Sequence, residues 1–261
     1  MTVGIKSGVS LCVKDFEMAV LRCGYARRVM ARRELLAWAT VLVVALSGCG
    51  EPTASGPSET PRAETGAAVR YLALGDSLTQ GVGATDEQTG AFPALLSERW
   101  RADACEVELR NVGVSGYTAG QVVTDQLPEI ENFQPTLITF QAGANDIATG
   151  VPISEYRENV ATVLDAASAS GARVIVLAQN EWFRSPEGQN YGSDLAAQRE
   201  AFDAALIEET TARGIELVDL RPLYQQQADD GLWVEDGIHP TPEAYDAWSA
   251  ELASAIPAPC E

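Results

Sequence analysis

Tyr71-Leu72-Ala73-Leu74 runs directly into Gly75-Asp76-Ser77-Leu78. The first four residues suit a buried strand, and glycine followed by Asp and Ser supplies the turn chemistry to end it. A serine two residues after a glycine, at the carboxyl end of a strand, can sit on a sharp exposed turn. An ordinary strand-to-helix turn, with Ser77 capping the segment that follows, explains the same eight residues taken alone. What separates the two readings is whether other parts of the chain bring matching chemistry to the same edge.

Moving outward, strands and helices alternate. A helix over 92–101 opens with Pro93 in its first turn, and Val107-Glu108-Leu109 alternates as a strand, followed by a short helix over 119–127. Thr136-Leu137-Ile138-Thr139-Phe140 is the clearest β run. Ile153, Tyr156, Val160, Val163, Leu164 and Ala167 recur at helical spacing, and Gly171 is placed to end that helix. Val174-Ile175-Val176-Leu177 reads as a buried strand, and Ser193 as the cap of a helix running to Gly214. Ile215-Glu216-Leu217-Val218 is a fifth strand, and Thr241-Pro242-Glu243 opens a last helix through about 255. Repeated strand–helix alternation predicts a three-layer α/β/α sandwich around a five-stranded, mainly parallel sheet. Ligands of such sheets bind beyond the carboxyl ends of the strands.

Polar segments follow four of these strands. After the second comes Asn111-Val112-Gly113-Val114-Ser115-Gly116, where glycine leaves a backbone N–H free to face a ligand or simply meets a need for positive φ. Ser115 is a rival nucleophile to Ser77. After the third comes Gly143-Ala144-Asn145-Asp146; the Asn145 amide offers uncharged donors suited to an oxyanion, or to helix capping. Between the fifth strand and the last helix lies Asp236-Gly237-Ile238-His239-Pro240. Asp and His three apart in a tight loop can turn toward each other, and Pro240 biases His239 toward extended backbone. His239 is the chain's one histidine, so any Ser–His chemistry must use it. The G-x-S-x-G elbow of α/β-hydrolases is absent; Gly113-Val114-Ser115-Gly116 stops one residue short.

Ser, Gly, Asn and His thus follow strands one, two, three and five, in that order. The pattern resembles the SGNH (GDSL-type) hydrolase family over about residues 70–256. The resemblance implies a flavodoxin-like domain that hydrolyses esters or thioesters. It assigns Ser77 as nucleophile and Asp236 and His239 as its triad partners, with the Ser77 and Gly116 N–H groups and the Asn145 amide as oxyanion hole. Asp76, beside the nucleophile, is read as fixing the turn. Two long loops, 78–90 and 180–192, are expected to line the site, the second with Trp182, Phe183 and Tyr191. These aromatics suit an acyl chain, a sugar ring, or packing beneath the loop. The expected substrate is a short- or medium-chain carboxylic ester. Alternatives are O-deacetylation of cell-envelope carbohydrate, or a non-catalytic lipoprotein that binds glycan or lipid.

Composition narrows the partners. Residues 1–48 hold seven of the 18 Lys/Arg and three of the 37 Asp/Glu, leaving residues 49–261 at a net charge of −23 with no lysine. Such a surface repels nucleic acid. Without lysine there is no Walker-type phosphate loop, and one histidine with two spare cysteines makes no usual zinc site. No cofactor or metal is expected.

The N-terminus reads as an export signal. Arg27, Arg28, Arg32 and Arg33 precede an apolar run over 35–45, too short to span a bilayer, and Leu46-Ser47-Gly48-Cys49 resembles a bacterial lipobox. The resemblance implies acylation of Cys49 and anchoring on the outer face of the cytoplasmic membrane, or secretion. The two arginines at 32–33 also resemble a twin-arginine signal. Met30 would give a more compact leader, making 1–29 an over-extended start. The expected organisation is a leader over 1–48, a Pro/Ser/Thr/Gly-rich tether over 49–67 and a hydrolase domain over 68–261. Cys105 and Cys260 then remain as an even pair in an oxidising compartment, either free or bonded.

Overall fold

The computed structural model describes residues 68–260. The expected leader, Cys49 and the tether lie outside the described residues. Among those described, no helix is long and apolar enough to cross a membrane.

Five strands form one sheet: β1 (Val69–Gly75), β2 (Val107–Asn111), β3 (Leu137–Gln141), β4 (Arg173–Leu177) and β5 (Glu216–Val218). All are parallel, in the order β2-β1-β3-β4-β5. The long helices are α1 (Phe92–Ala102), α2 (Ile153–Ala169), α3 (Leu195–Arg213), α4 (Arg221–Asp229) and α5 (Pro242–Ala255).

Strand periodicity assigns the two faces. The register Leu72–Ile138–Val174 puts one row of side chains on one face, where they pack with Tyr156, Val160, Val163 and Leu164 of α2 and Phe202 and Leu206 of α3. The neighbouring residues Tyr71, Leu137 and Ile175 point the other way. They meet Leu96 and Trp100 of α1, Tyr224 of α4 and Tyr245, Trp248 and Leu252 of α5. With both faces covered, the strands must be apolar throughout, as β3 is at Leu137, Ile138 and Phe140. The one buried hydroxyl of that strand, Thr139, is paired with Tyr71 Oη at 2.9 Å. Trp100 is fully buried and donates its indole N–H to the Ile256 carbonyl at 3.1 Å, tying α1 to the end of α5. Truncating such a side chain to alanine costs about 3–5 kcal/mol.

The Cys105 and Cys260 sulfurs are joined, with Cα atoms 5.4 Å apart. Cys260 follows α5, so the bond fastens the chain's end beside the start of β2.

Three local expectations need correction. The helix after β2 is not one regular unit: an α turn at Ala119–Gln121 becomes a π-helical stretch at Val122–Gln126, and α-helix resumes at Pro128–Phe133. Pro128 has no N–H to donate and its ring crowds the preceding turn, so the helix widens there, with Leu127 N–H reaching the Val122 carbonyl at 3.2 Å. Ser193 does not cap α3; Asp194 occupies that position, at φ +64° and without a side-chain cap bond. Ile215 precedes β5 rather than opening it, since its N–H closes on the Thr210 carbonyl at 3.0 Å in the turn that ends α3.

The chain steps from β1 outward to β2, then crosses to the other side of β1 to lay down β3, β4 and β5. The crevice opened by that reversal lies at the carboxyl ends of β1 and β3. Ser77 follows one of those ends and Asn145 the other.

Candidate active site

The turn after β1 is built to hold Ser77 in place. Gly75 donates its N–H to Gln126 Oε1 and accepts from Gln126 Nε2, both at 2.8 Å, so one buried amide clamps both backbone groups. A Cβ on Gly75 would stand 2.3 Å from Thr79 Oγ1 and 2.4 Å from the Gln141 carbonyl, which excludes any other residue. Asp76 then caps a one-turn helix, Ser77–Gln80, by accepting the Leu78 N–H at 3.0 Å. The Asp76 carboxyl is pushed up to about 7: burial dominates, the Leu78 N–H opposes it, and the nearby Asp146 charge adds to it. Asp146 is itself raised to about 6 by burial, against the Ala119 N–H that it accepts at 2.9 Å.

The loop after β2 folds back on this turn. Asn111 Nδ2 donates to the Thr79 carbonyl at 2.6 Å, and Ser115 N–H to Gln80 Oε1 at 2.6 Å. Two glycines here serve different ends. Gly113 is forced by contact, since its Cβ would lie 2.4 Å from Gln80 N. Gly116 is forced by backbone conformation, at φ +84° with only open space where a Cβ would go. The N–H groups of Ser77 and Gly116 have no acceptor among the described residues.

Asn145 lies in the first turn of a short helix, Ala144–Thr149, after β3. One of its amide hydrogens is committed to the Tyr117 carbonyl at 3.0 Å, which fixes the amide and leaves the second hydrogen available.

His239 is held from behind. Its Nδ1 lies 2.6 Å from Asp236 Oδ2, while Asp236 Oδ1 accepts the backbone N–H of His239 at 3.0 Å and of Ile238 at 2.9 Å. Burial works to raise the Asp236 carboxyl, but those two N–H groups and the imidazole outweigh it and hold it below the usual carboxylate value. With Nδ1 engaged, Nε2 is the ring nitrogen left to exchange a proton.

These segments converge on one cavity of about 230 Å³. Its lining includes Ser77, Gly116, Asn145 and His239, together with Asp76, Asn180, Trp182 and Tyr191. Ser115 also reaches the rim. Two expectations about the lining fail. Phe183 turns away, packing on the core and lining a separate groove with Arg199 and Arg221, because the 3-10 turn Trp182–Arg184 sends successive side chains in different directions. Of the loop 78–90, only Leu78 reaches the cavity. The loop instead buttresses the histidine: a Cβ on Gly83 would lie 2.3 Å from the Pro240 carbonyl, and Tyr245 Oη donates to the Val82 carbonyl at 2.8 Å. Asn180 opens the loop 180–192 expected at the site, but nothing in the spacing of a lone amide marks it or Gln126 individually.

Residues 73–247 match the family described as GDSL-like Lipase/Acylhydrolase. The chain belongs to that family. It is 28% identical over 191 residues to an arylesterase of Vibrio mimicus, covering 72% of this chain and 88% of the relative. It is 27% identical over 177 residues to the esterase TesA of Pseudomonas aeruginosa, covering 67% and 81%. The solved lipase/acylhydrolase from Enterococcus faecalis superposes with a TM-score of 0.62 at 19% identity, covering 72% of this chain and 95% of that one. As a GDSL-type esterase/lipase, the protein is a carboxylic ester hydrolase, on the five-stranded parallel α/β fold anticipated from its alternating segments.

Proposed function

We propose that this GDSL-family enzyme hydrolyses neutral short- or medium-chain carboxylic esters through an acyl-enzyme on Ser77. The observation that carries the reading is convergence: residues after β1, β2, β3 and β5 line a single cavity. Ser77 Oγ attacks the ester carbonyl while His239 Nε2 takes its proton. Charge developing on the carbonyl oxygen is met by the Ser77 and Gly116 N–H groups and the second Asn145 hydrogen, three neutral donors already fixed in place. His239 returns the proton to the leaving alcohol. Water then repeats the sequence on the acyl-enzyme, releasing the acid and freeing Ser77. Asp236 orients the ring and supports its positive charge.

The cavity's size supports the choice of substrate. About 230 Å³ falls below the range of roughly 300–1,000 Å³ usual for drug-sized ligands, which favours a compact acyl group. Its lining carries no Lys or Arg to hold a carboxylate or phosphate. Deacetylation of envelope carbohydrate is the second reading, favoured by Tyr191, which is 49% exposed at the cavity and could stack on a sugar ring. The arginine-rich leader and Cys49 support work at the outer face of the membrane, on a lipid anchor.

A p-nitrophenyl ester series from acetate to dodecanoate tests the proposal. The expected kcat/KM peaks at eight carbons or fewer. A steady rise to the longest chain, or no turnover of any member, contradicts it.

A further inference from the structure

One side chain in the cavity has no counterpart in the mechanism. Asn180, just after β4, is fully buried and lines the cavity, yet neither its Nδ2 nor its Oδ1 has a hydrogen-bond partner. The backbone on either side of it is pinned. Arg199 Nη2 donates to the Gln179 carbonyl at 2.5 Å, and Arg199 Nη1 lies 3.3 Å from Glu181 Oε1 and 3.1 Å from Asp203 Oδ2. Those contacts hold the main chain on both sides of Asn180 in place at the cavity wall. Beside it, the buried indole Nε1 of Trp182, another cavity-lining residue, also lacks an acceptor. A buried amide left unpaired destabilises the free protein, so its retention at the cavity wall points to a partner that arrives with the substrate.

The chemistry of that partner follows from the wall. An amide offers a donor NH2 group and an acceptor oxygen, and the indole adds a donor. A hydroxyl meets both kinds of group through a single atom and fits a small space. A carboxylate would find no Lys or Arg among the lining residues. We propose that Asn180 is a specificity-determining residue that hydrogen-bonds a neutral hydroxyl near the scissile bond, so that hydroxylated esters are the preferred substrates. The inference rests on the Ser77 reading above and deepens it by naming the substrate class.

Two substrate pairs, each exchanging a hydroxyl for a methyl group at constant shape, test it. In 2-hydroxyethyl butyrate against propyl butyrate the hydroxyl lies on the alcohol side. In ethyl 3-hydroxybutyrate against ethyl 3-methylbutanoate it lies on the acyl side. The wild-type chain should favour the hydroxyl member of at least one pair by about tenfold or more in kcat/KM, and that pair identifies the side on which the hydroxyl sits. Asn180→Leu should bring that ratio to about one. Asn180→Asp, of the same shape but lacking the donor hydrogens, should lower it and serves if the leucine variant does not fold. Ratios near one in both wild-type pairs, or a ratio unchanged in the folded variants, overturn the assignment of Asn180 and leave the Ser77 reading standing. Failure of the wild type to hydrolyse any of the four esters overturns both.

Discussion

Asp236 grips His239 at two points, with one carboxylate oxygen 2.6 Å from the ring Nδ1 and the other accepting the same residue's backbone N–H at 3.0 Å. The carboxylate thus fixes both the tautomer and the position of the imidazole. Because its hydrogen bonds hold Asp236 below the usual carboxylate value, it remains ionised through the neutral and weakly acidic range.

This grip separates the two residues' contributions. In the proposed mechanism His239→Ala removes the base and should lower kcat by roughly 10⁶, while Asp236→Asn keeps the shape but favours the wrong tautomer, at a cost of about 10⁴. Steady-state kinetics on p-nitrophenyl acetate check the ranking; equal losses, or a larger one at Asp236, would contradict it.

Asn145 lines the cavity and its amide is positioned by its bond to the Tyr117 carbonyl, which leaves the second hydrogen available. Asn145→Ala should lower kcat by about 10²–10³ with little change in KM, the signature of a donor used only in the transition state. A change confined to KM would place Asn145 in ground-state binding instead.

Asp76 makes stability depend on pH. Its carboxyl is raised by burial from 3.8 to about 7 in the folded protein, so folding holds a proton that the unfolded chain releases earlier. The stabilisation is therefore complete below about pH 4 and disappears as pH climbs toward 7. Asp76→Asn mimics the protonated carboxyl and should escape that loss. Asp146 and Asp203, both raised to about 6, keep the same sign of slope in the variant. The melting temperature of the variant should gain on the wild type by several degrees between pH 5 and pH 8, at about 2–4 °C per kcal/mol. Parallel curves would refute the role of Asp76.

The Cys105–Cys260 bond closes a loop over a separation of 155 residues. On the chain-entropy account, opening so long a loop costs on the order of 5 kcal/mol. Cys260→Ala should lower the melting temperature by about 10 °C or more and remove the wild type's sensitivity to reductant. Equal melting of oxidised and reduced wild type would contradict it.

Much of the fold was legible because periodic burial wrote it into the chain. Val174, Ile175, Val176 and Leu177 are apolar because both sheet faces are covered, and Thr241 announces α5 because its hydroxyl accepts the Ala244 N–H at 3.3 Å. The site's blocks were legible because each sits at a strand end where Gly, Asn or a tight Asp–His spacing has a local purpose. What sequence did not reveal depends on packing. Helix α4 buries little beyond Tyr224 and Gln227, so its pattern is mostly polar. The π-helical stretch arises from a clash at Pro128, and the clamp of Gln126 on Gly75 spans 51 residues. Phe183 and Trp182 are adjacent in sequence, and only the turn they share decides which lines the cavity.

The central claim is that Ser77, rather than the neighbouring Ser115, carries the acyl group. Incubation with a fluorophosphonate, followed by peptide mapping, tests it most directly. The account predicts a single adduct on Ser77, absent in Ser77→Ala together with esterase activity and retained in Ser115→Ala. An adduct on Ser115, or ester hydrolysis that survives in Ser77→Ala, would contradict it.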